Sequence, residues 1–453
     1  MNEILLTKTF HSTHYTNLHK VIIMKKRFIF ISILAIMTAA CAESEWEPAS
    51  QTDVSTSPHS ENNRTLEEAL AYADDWFAQM DEPTRSEGRR VESVEYVSSA
   101  SRTRSGDADT LMYLVNYEDN AGFALLGRPA TSKAIYAISE EGSLDMSDTV
   151  YNKPLAMFMA SAREDIICST IFPPTHPIIP PVIVDTTFIG LHTRIIREKK
   201  PMLDSLGKVS IWSQDYPYNL DTPIFKGEKG YVGCGALAVG MLMTYYKFPE
   251  TINDTIVPWS LIIDKNNRTA ISKLLETLAS EKYLNSQYTT YNDRRTKIEN
   301  IRPTFASLGY AMGNALNGAW LYREENNTTI DNLDVLMTFM ESGDYPAEAA
   351  PVILYGGVNK NEELRGIGHI WITDGFLQKE RYNSYSINIP PQKLDPQFHM
   401  VWGWGGKANG YYTYFITQQR LQEISSENLE EGYPDQFWNL RLFGRYTVFR
   451  KND

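Results

Sequence analysis

The sequence predicts an α+β chain of two domains, a small N-terminal one and a larger C-terminal one in which a helical part precedes a sheet part. Three observations predict it. The chain has 453 residues, more than one ordinary hydrophobic core accommodates. Helix-like patterns come first and strand-like patterns later in its C-terminal half, without regular alternation. Between the halves lies IFPPTHPIIPPVIVD (171–185), whose five prolines resist both helix and central strand.

Composition narrows the function classes. Hydrophobic residues at 42% and aromatics at 12% suffice for sizeable cores and argue against disorder. A net charge of −13 disfavours a general binder of nucleic acid or anionic membrane, because no basic patch compensates. Three cysteines, Cys41, Cys168 and Cys234, stand in unrelated contexts. They make no disulfide framework, so each needs its own explanation.

Residues 1–23 read as an upstream extension from a misplaced start codon. From Met24 the chain runs MKKRFIFISILAIMTAAC, a basic start, an apolar stretch and small residues leading into Cys41. That is the layout of an export signal. The cysteine directly behind the small residues marks residues 24–41 as a lipoprotein leader, with Cys41 lipidated as the new N-terminus. Thr38 stands where leucine is usual, and plain cleavage near Ala40 is the alternative. The apolar stretch is short for a membrane span. Glu43, Glu45 and Glu47 behind the cysteine fit display outside the outer membrane. The expected location is therefore the outer membrane or cell surface, with membrane contact through the lipid only.

Residues 42–64 are polar and Ser/Thr-rich, a flexible tether. The small domain spans 65–170. Thr65 and Glu68 form a capping-box pair, and Leu66, Ala69, Leu70, Ala73, Trp76 and Phe77 follow at helical spacing. Residues 85–110 read as loop or exposed hairpin. MYLVNY (112–117) and GFALLG (122–127) read as strands joined by the turn EDNA. Cys168 lies in an apolar helical patch and reads as a buried structural thiol. Residues 171–205 form the connector. Its last part, REKKPMLDS (197–205), and the nearby Arg194, Arg197, Lys199 and Lys200 make a basic target for activating cleavage. The second domain spans 206–453, with helical patterns near 270–310 and 330–342 and strands from PVILYGG (351–357) onward.

YVGCGALAVGMLMTYY (231–246) places Cys234 between two glycines where a helix begins. Leu237, Met241 and Tyr245 recur on one face, with Ala238 and Leu242 beside them. A helix N-terminus lowers a thiol's pKa, and Gly233 and Gly235 permit close approach of a backbone or substrate. Taken alone, a buried cysteine on a core helix explains the stretch as well. A nucleophilic cysteine needs a base, and only two histidines follow residue 200. His369 sits in GIGHIWITDG and His399 in QFHMVWGWGGKANGYY; either could be structural. A metal site of both with Cys234 lacks a close ligand pair.

GCGALAVGMLMTYYKFP, GHIWITDG and HMVWGWGGKANGYY, in that order and at those separations, resemble the streptopain family of papain-fold cysteine peptidases. WSQDYPYN (212–219) looks like that family's Gln-containing motif, and PVILYGG like the strand before its histidine. TLEEA (65–69), YLVNYEDNAGFALLG (113–127) and AIYAISEEGSLD (134–145) are similar to its inhibitory propeptide. The resemblance covers about residues 60–450. It implies a papain-like two-lobed domain behind a propeptide, made as a zymogen of an endopeptidase acting on proteins or peptides. No metal, organic cofactor or nucleic acid is implied. By the same resemblance Cys234 is the nucleophile and forms a thioester acyl-enzyme, and His369 is its acid and base. Gln214 with the Cys234 N–H would hold the oxyanion, donors worth about 3–4 kcal/mol each in barrier. Trp402 and Trp404 would wall the histidine, and Gly403, Gly405 and Gly406 would serve the turn.

The chain departs from the family at Val401, which replaces the asparagine that accepts the histidine's other N–H. Either another acceptor, such as a backbone carbonyl, takes over, or catalysis is impaired. Asp374, five residues along and on the opposite strand face, is a poor substitute. Gly235 replaces a branched residue, and Ala350 stands where a basic one is common. The competing expectation is a catalytically silent homologue serving as a surface binding or inhibitory protein.

Overall fold

The computed structural model describes residues 63–80, 89–98, 110–147, 152–171, 183–184, 187–188, 191–312, 324–325, 328–329, 333–342, 349–357, 368–383, 390–413, 441–446 and 448–450. The leader with Cys41, nearly all of the tether, most of the proline-rich stretch and the side chain of Cys168 lie outside them. Of two compact units, Met1–His59 and Ser60–Asp453, the second contains every described residue.

Helix α1 (Leu66–Met80) starts as its sequence dictates. The Thr65 N–H donates to Glu68 Oε2 at 2.7 Å and the Glu68 N–H to Thr65 Oγ1 at 3.2 Å, the reciprocal capping box. Ala69, Ala73, Trp76 and Phe77 form its buried face. Strands β1 (Val91–Ser98), β2 (Thr110–Tyr117), β3 (Phe123–Gly127) and β4 (Ile135–Ser139) follow as an antiparallel meander. The EDNA segment turns with Asp119 and Asn120 at φ 59° and 55°, a left-handed conformation that Asn and Asp tolerate. Helix α2 (Lys153–Ile171) then packs Leu155, Phe158, Met159, Ala162 and Ile166 into a core shared with the C-terminal part.

In the C-terminal part, helix α3 (Cys234–Tyr246) is buried at every position from Gly235 to Thr244, so it is a central helix and not the one-faced one its spacing suggested. Helix α4 (Arg268–Ala279) is capped by Asn267 Oδ1, which accepts from the Ala270 N–H, and lays Leu274, Leu275 and Leu278 in the same core as α3. The helical pattern expected across 270–310 is interrupted. Residues 287–295 form a hairpin, β6 (Gln287–Thr290) with β7 (Asp293–Arg295), before the short helix α5 (Ile301–Ser307). The hairpin is zipped to the strand-like run before Cys234: the Tyr231 N–H donates to Tyr291 O and the Tyr288 hydroxyl to Tyr231 O.

Most of the remaining elements build one antiparallel sheet of 11 strands. They are β5 (Leu191–Lys199), β8 (Val352–Gly357), β9 (Gly368–Asn383), β10 (Gln397–Val401), β11 (Gly410–Thr413) and β12 (Arg441–Tyr446), with helix α6 (Leu333–Ser342) packed against β9. The strand order is β1-β2-β3-β4-β11-β10-β9-β8-β12, with β5 and the short strand Gln392–Lys393 also on β9. The N-terminal meander joins this sheet where β4 meets β11, Ile138 opposite Tyr411 and Ala137 opposite Tyr412.

One expectation changes here. Most of the basic stretch read as an open connector is strand β5, and its two arginines are paired. Arg194 meets Glu380, while Arg197 meets Asp334 and Glu341 of α6. Their partners lie 137 to 186 residues away, out of reach of any local reading.

Candidate active site

Cys234 opens α3 directly behind Gly233, and the Gly233 carbonyl accepts the Leu237 N–H. Gly235 has no room for a side chain: a Cβ there would lie 2.3 Å from Thr296 Oγ1. The loop behind the β6–β7 hairpin thus rests on the first turn of the helix, which accounts for the missing branched residue.

Cys234 as a residue is half-buried, and burial of its thiol pushes the pKa up to about 11. Desolvation is the main cause, and hydrogen bonds from the N–H groups of Ile370, Gly235 and Cys234 itself act the other way. The expectation that the helix N-terminus would depress it is overturned, because the desolvation outweighs the N–H groups of the terminus. The Ile370 contact also places the sulfur against the start of β9, one residue from His369.

His369 is buried, opposite Gly356 of β8. Its Nε2 lies 3.1 Å from the Trp402 carbonyl oxygen. A carbonyl only accepts, so Nε2 carries a hydrogen, which in the neutral tautomer puts the ring's lone pair on Nδ1. The ring stacks on Trp371, with centroids 6.2 Å apart and planes 15° from parallel. Trp371 leans in turn on Trp402 at 5.4 Å. Trp371 is a wall that motif reading missed; its signal was the i, i+2 spacing from His369, which puts both on one strand face.

Val401 does not face this problem at all. It lies opposite Ile372 and is buried with Ile370 and Ile372 in the helical core. The main-chain carbonyl of the next residue takes the asparagine's place as acceptor. Asp374 takes no part: its Oδ1 is 2.6 Å from His399 Nδ1, and its Oδ2 accepts the Leu203 N–H. His399 therefore belongs to a separate buried pair.

The segment carrying Gln214 is pinned on two sides. Gln214 O accepts the Val232 N–H at 2.9 Å, Ser213 bridges to Trp404, and Trp212 O accepts the Gly405 N–H. Gln214 itself is buried. Trp404 packs edge-on against Tyr231, centroids 5.8 Å apart, beside the run that leads to Cys234. Gly403, at φ 81°, passes so close to α3 that a Cβ would lie 2.6 Å from Leu237 Cδ2. The turn is locked further by Asn409, which bonds the Trp402 N–H and the Ser210 carbonyl. Cys234, His369, Gln214 and Trp402 are thus brought together by four converging segments. Among the described residues no group of His, Cys, Asp and Glu is arranged to hold a metal ion.

Residues 212–412 match the Peptidase C10 family, and residues 57–166 match the Spi protease inhibitor family. The C-terminal part is thus similar to a streptopain-like peptidase domain, and the part before it to an inhibitor-type propeptide. Among curated proteins it is similar to the thiol protease/hemagglutinin PrtT of Porphyromonas gingivalis, 24% identical over 264 residues. That match takes in 48% of this chain and 26% of the relative, so the chain spans about a quarter of that protein's length. Among solved structures it is similar to a prointerpain A fragment of Prevotella intermedia, at TM-score 0.46 and 15% identity over 80% of this chain and 99% of that one. It is similar also to the active interpain A cysteine protease, at TM-score 0.35 and 17% identity over 56% and 95%.

The propeptide part meets the peptidase part through rings as well as strands. Phe158 of α2 stands edge-on to Tyr412 at 4.7 Å, and Tyr412 edge-on to Trp402 at 5.1 Å. Trp402 carries the carbonyl that holds His369.

Proposed function

We propose that the chain is the precursor of an exported cysteine endopeptidase, anchored through a lipid on Cys41 and held inactive by residues 65–170. The observation that carries the catalytic part is the pairing of a thiol at the start of α3, set against the backbone of Ile370, with an imidazole whose Nε2–H is fixed on the Trp402 carbonyl. His369 takes the Cys234 proton on Nδ1, and the thiolate attacks the scissile carbonyl. The negative oxygen of the tetrahedral adduct is held by the Cys234 N–H and the Gln214 amide. The imidazolium gives its proton to the departing amine, leaving a thioester. The neutral ring then draws a proton from water, whose oxygen displaces the sulfur and frees the acid. The Trp402 carbonyl keeps the ring in one tautomer throughout, the work an asparagine side chain does elsewhere in the family.

A buried thiol with a pKa near 11 is a poor nucleophile at neutral pH, as a precursor requires. The test is alkylation by an epoxide thiol probe under reducing conditions, across pH 5 to 10, before and after limited proteolysis. In the intact chain, adduct formation at Cys234 is expected to climb with pH toward the thiol's pKa. After processing it is expected to be fast near neutrality and to accompany hydrolysis of a general protein substrate. A processed chain that neither labels nor cleaves would sink the enzyme reading in favour of a binding or inhibitory protein. The lipid anchor is tested separately: Cys41→Ala should move the protein from the detergent-extracted fraction to the soluble one. Unchanged fractionation counts against the anchor.

A further inference from the structure

We infer that Arg294 and Glu276 are positioning residues for the oxyanion site: their ion pair holds the β6–β7 hairpin, and the hairpin holds the turn that presents the Cys234 N–H. The inference rests on the peptidase reading above and deepens it, by naming what fixes a donor on which that reading relies.

The run leading to Cys234 lies along the hairpin. The Tyr231 N–H donates to Tyr291 O at 2.8 Å, and the Tyr288 hydroxyl donates to Tyr231 O at 2.7 Å. A Cβ on Gly230 would lie 2.7 Å from the Tyr288 ring, one on Gly233 2.9 Å from Arg294 O, and one on Gly235 2.3 Å from Thr296 Oγ1. Each of these glycines marks a place where the hairpin or the chain behind it presses on the turn. Gly233 sits at φ 87° and ψ 141°, a conformation that L side chains rarely adopt. Its ψ angle sets the direction of the next N–H, which belongs to Cys234. The aim of that oxyanion donor therefore depends on what Gly233 rests on, and it rests on the backbone of Arg294.

The ladder of the hairpin is a weak frame by itself. β6 has four residues and β7 three, and among the described residues the hairpin pairs with no further strand. The Arg294 side chain supplies what the ladder lacks. It is only 6% exposed, and its Nη1 and Nη2 meet the two Glu276 carboxylate oxygens as a fork. Glu276 stands on α4, whose Leu274, Leu275 and Leu278 lie in the same core as α3. The guanidinium also lies over the Tyr288 ring, 4.6 Å from its centroid, and the hydroxyl of that ring holds Tyr231. One side chain thus ties the hairpin to the helical core and braces the ring that grips the run before Cys234. Lysine would offer neither the fork nor the flat face. Burying an ion pair gains little net stability, so the stake of this one lies in the geometry it fixes. The hairpin also reaches the nucleophile electrostatically: the Asp293 charge is felt at the Cys234 thiol and pushes its pKa up, behind the larger effect of desolvation.

The experiment compares the processed parent with Arg294→Met, which keeps the apolar stem, and Glu276→Gln, which keeps the shape and one acceptor. Hydrolysis of a peptide amide passes through the oxyanion, whereas alkylation of the thiol by iodoacetamide forms none. In R294M, kcat is expected to fall about 10- to 100-fold with KM and the alkylation rate each within about threefold of the parent's. E276Q is expected to lose less kcat, and the double variant no more than R294M alone, because both residues act through one hairpin. Should R294M fail to fold, E276Q carries the same comparison. Parental kcat in both variants overturns the inference. So do hydrolysis and alkylation that fall together with the melting temperature, since the pair would then serve stability alone. A further readout does not depend on the chain being a peptidase. In the intact precursor bearing Cys234→Ala, amide hydrogen exchange over residues 230–236 is expected to quicken on adding R294M, while β9 and β10 keep the parent's rates. Unchanged exchange over 230–236 overturns the inference. A processed parent that cleaves nothing sinks the peptidase reading instead, and the exchange comparison then decides by itself whether the pair holds the turn.

Discussion

Cys234→Ala is expected to lower kcat/KM of the processed enzyme by about four to six orders of magnitude, the range seen when a covalent nucleophile is deleted. The structural cost should be small. The change removes one sulfur atom from a residue that retains solvent contact, and helix propensity favours alanine. Stability and activity therefore separate cleanly at this position. His369→Ala is expected to lose a comparable factor, and the two together no more than either alone, because nucleophile and base act as a unit. The measurement is a double-mutant cycle on kcat/KM, with thermal melting as control. Additive losses would mean that the two side chains act independently, and Cys234 would then need another base. Of the candidates, His399 is committed to Asp374, 2.6 Å away, which leaves His369 as the histidine beside the thiol's backbone contact.

Local chemistry made much of the fold legible. The Thr65–Glu68 box, the EDNA turn and the apolar runs at 112–117 and 122–127 specify their structures within a few residues, and they occur where the sequence placed them. The start of α3 at Cys234 was legible for the same reason. What the sequence concealed is long-range. Arg194 and Arg197 read as a solvated linker because the carboxylates that accept them stand on β9 and α6. The pattern over 270–310 hid a hairpin whose polar residues are fixed by Tyr231. At the site, Val401 signalled a missing acceptor, and only the backbone could show that the Trp402 carbonyl supplies it. Charge near a helix end argued for a depressed thiol pKa, yet burial sets its direction; the degree of burial is a property of the packed chain alone.

Asp374→Ala is expected to destabilise the folded chain by about 3–5 kcal/mol near pH 5.5, the usual cost of removing one partner from a buried ion pair. Asp374 is fully buried and His399 nearly so. Burial alone would push the His399 imidazole down, but the adjacent Asp374 charge and its hydrogen bond overcome that and hold it above its ordinary value, helped by Asp204 and Glu140. The sign follows from linkage. A histidine whose folded pKa exceeds its unfolded value adds stability that is fully present below about pH 6.5 and fades as pH rises through the folded value. The parent should therefore lose this part of its stability on going from pH 5.5 to alkaline pH, and the variant should not. Asp204, whose carboxyl desolvation raises, also feels His399 and Asp374, so the difference between the two proteins reports the cluster of three. The variant also strips the Leu203 N–H of its acceptor, a loss that is independent of pH and sets the floor of the effect. Urea unfolding of parent and variant at several pH values measures both parts. Parallel curves across the range would show that His399 is neutral in the folded chain and that the pair contributes only a hydrogen bond. Curves converging toward alkaline pH would place a charged histidine beside Asp374 in the folded chain.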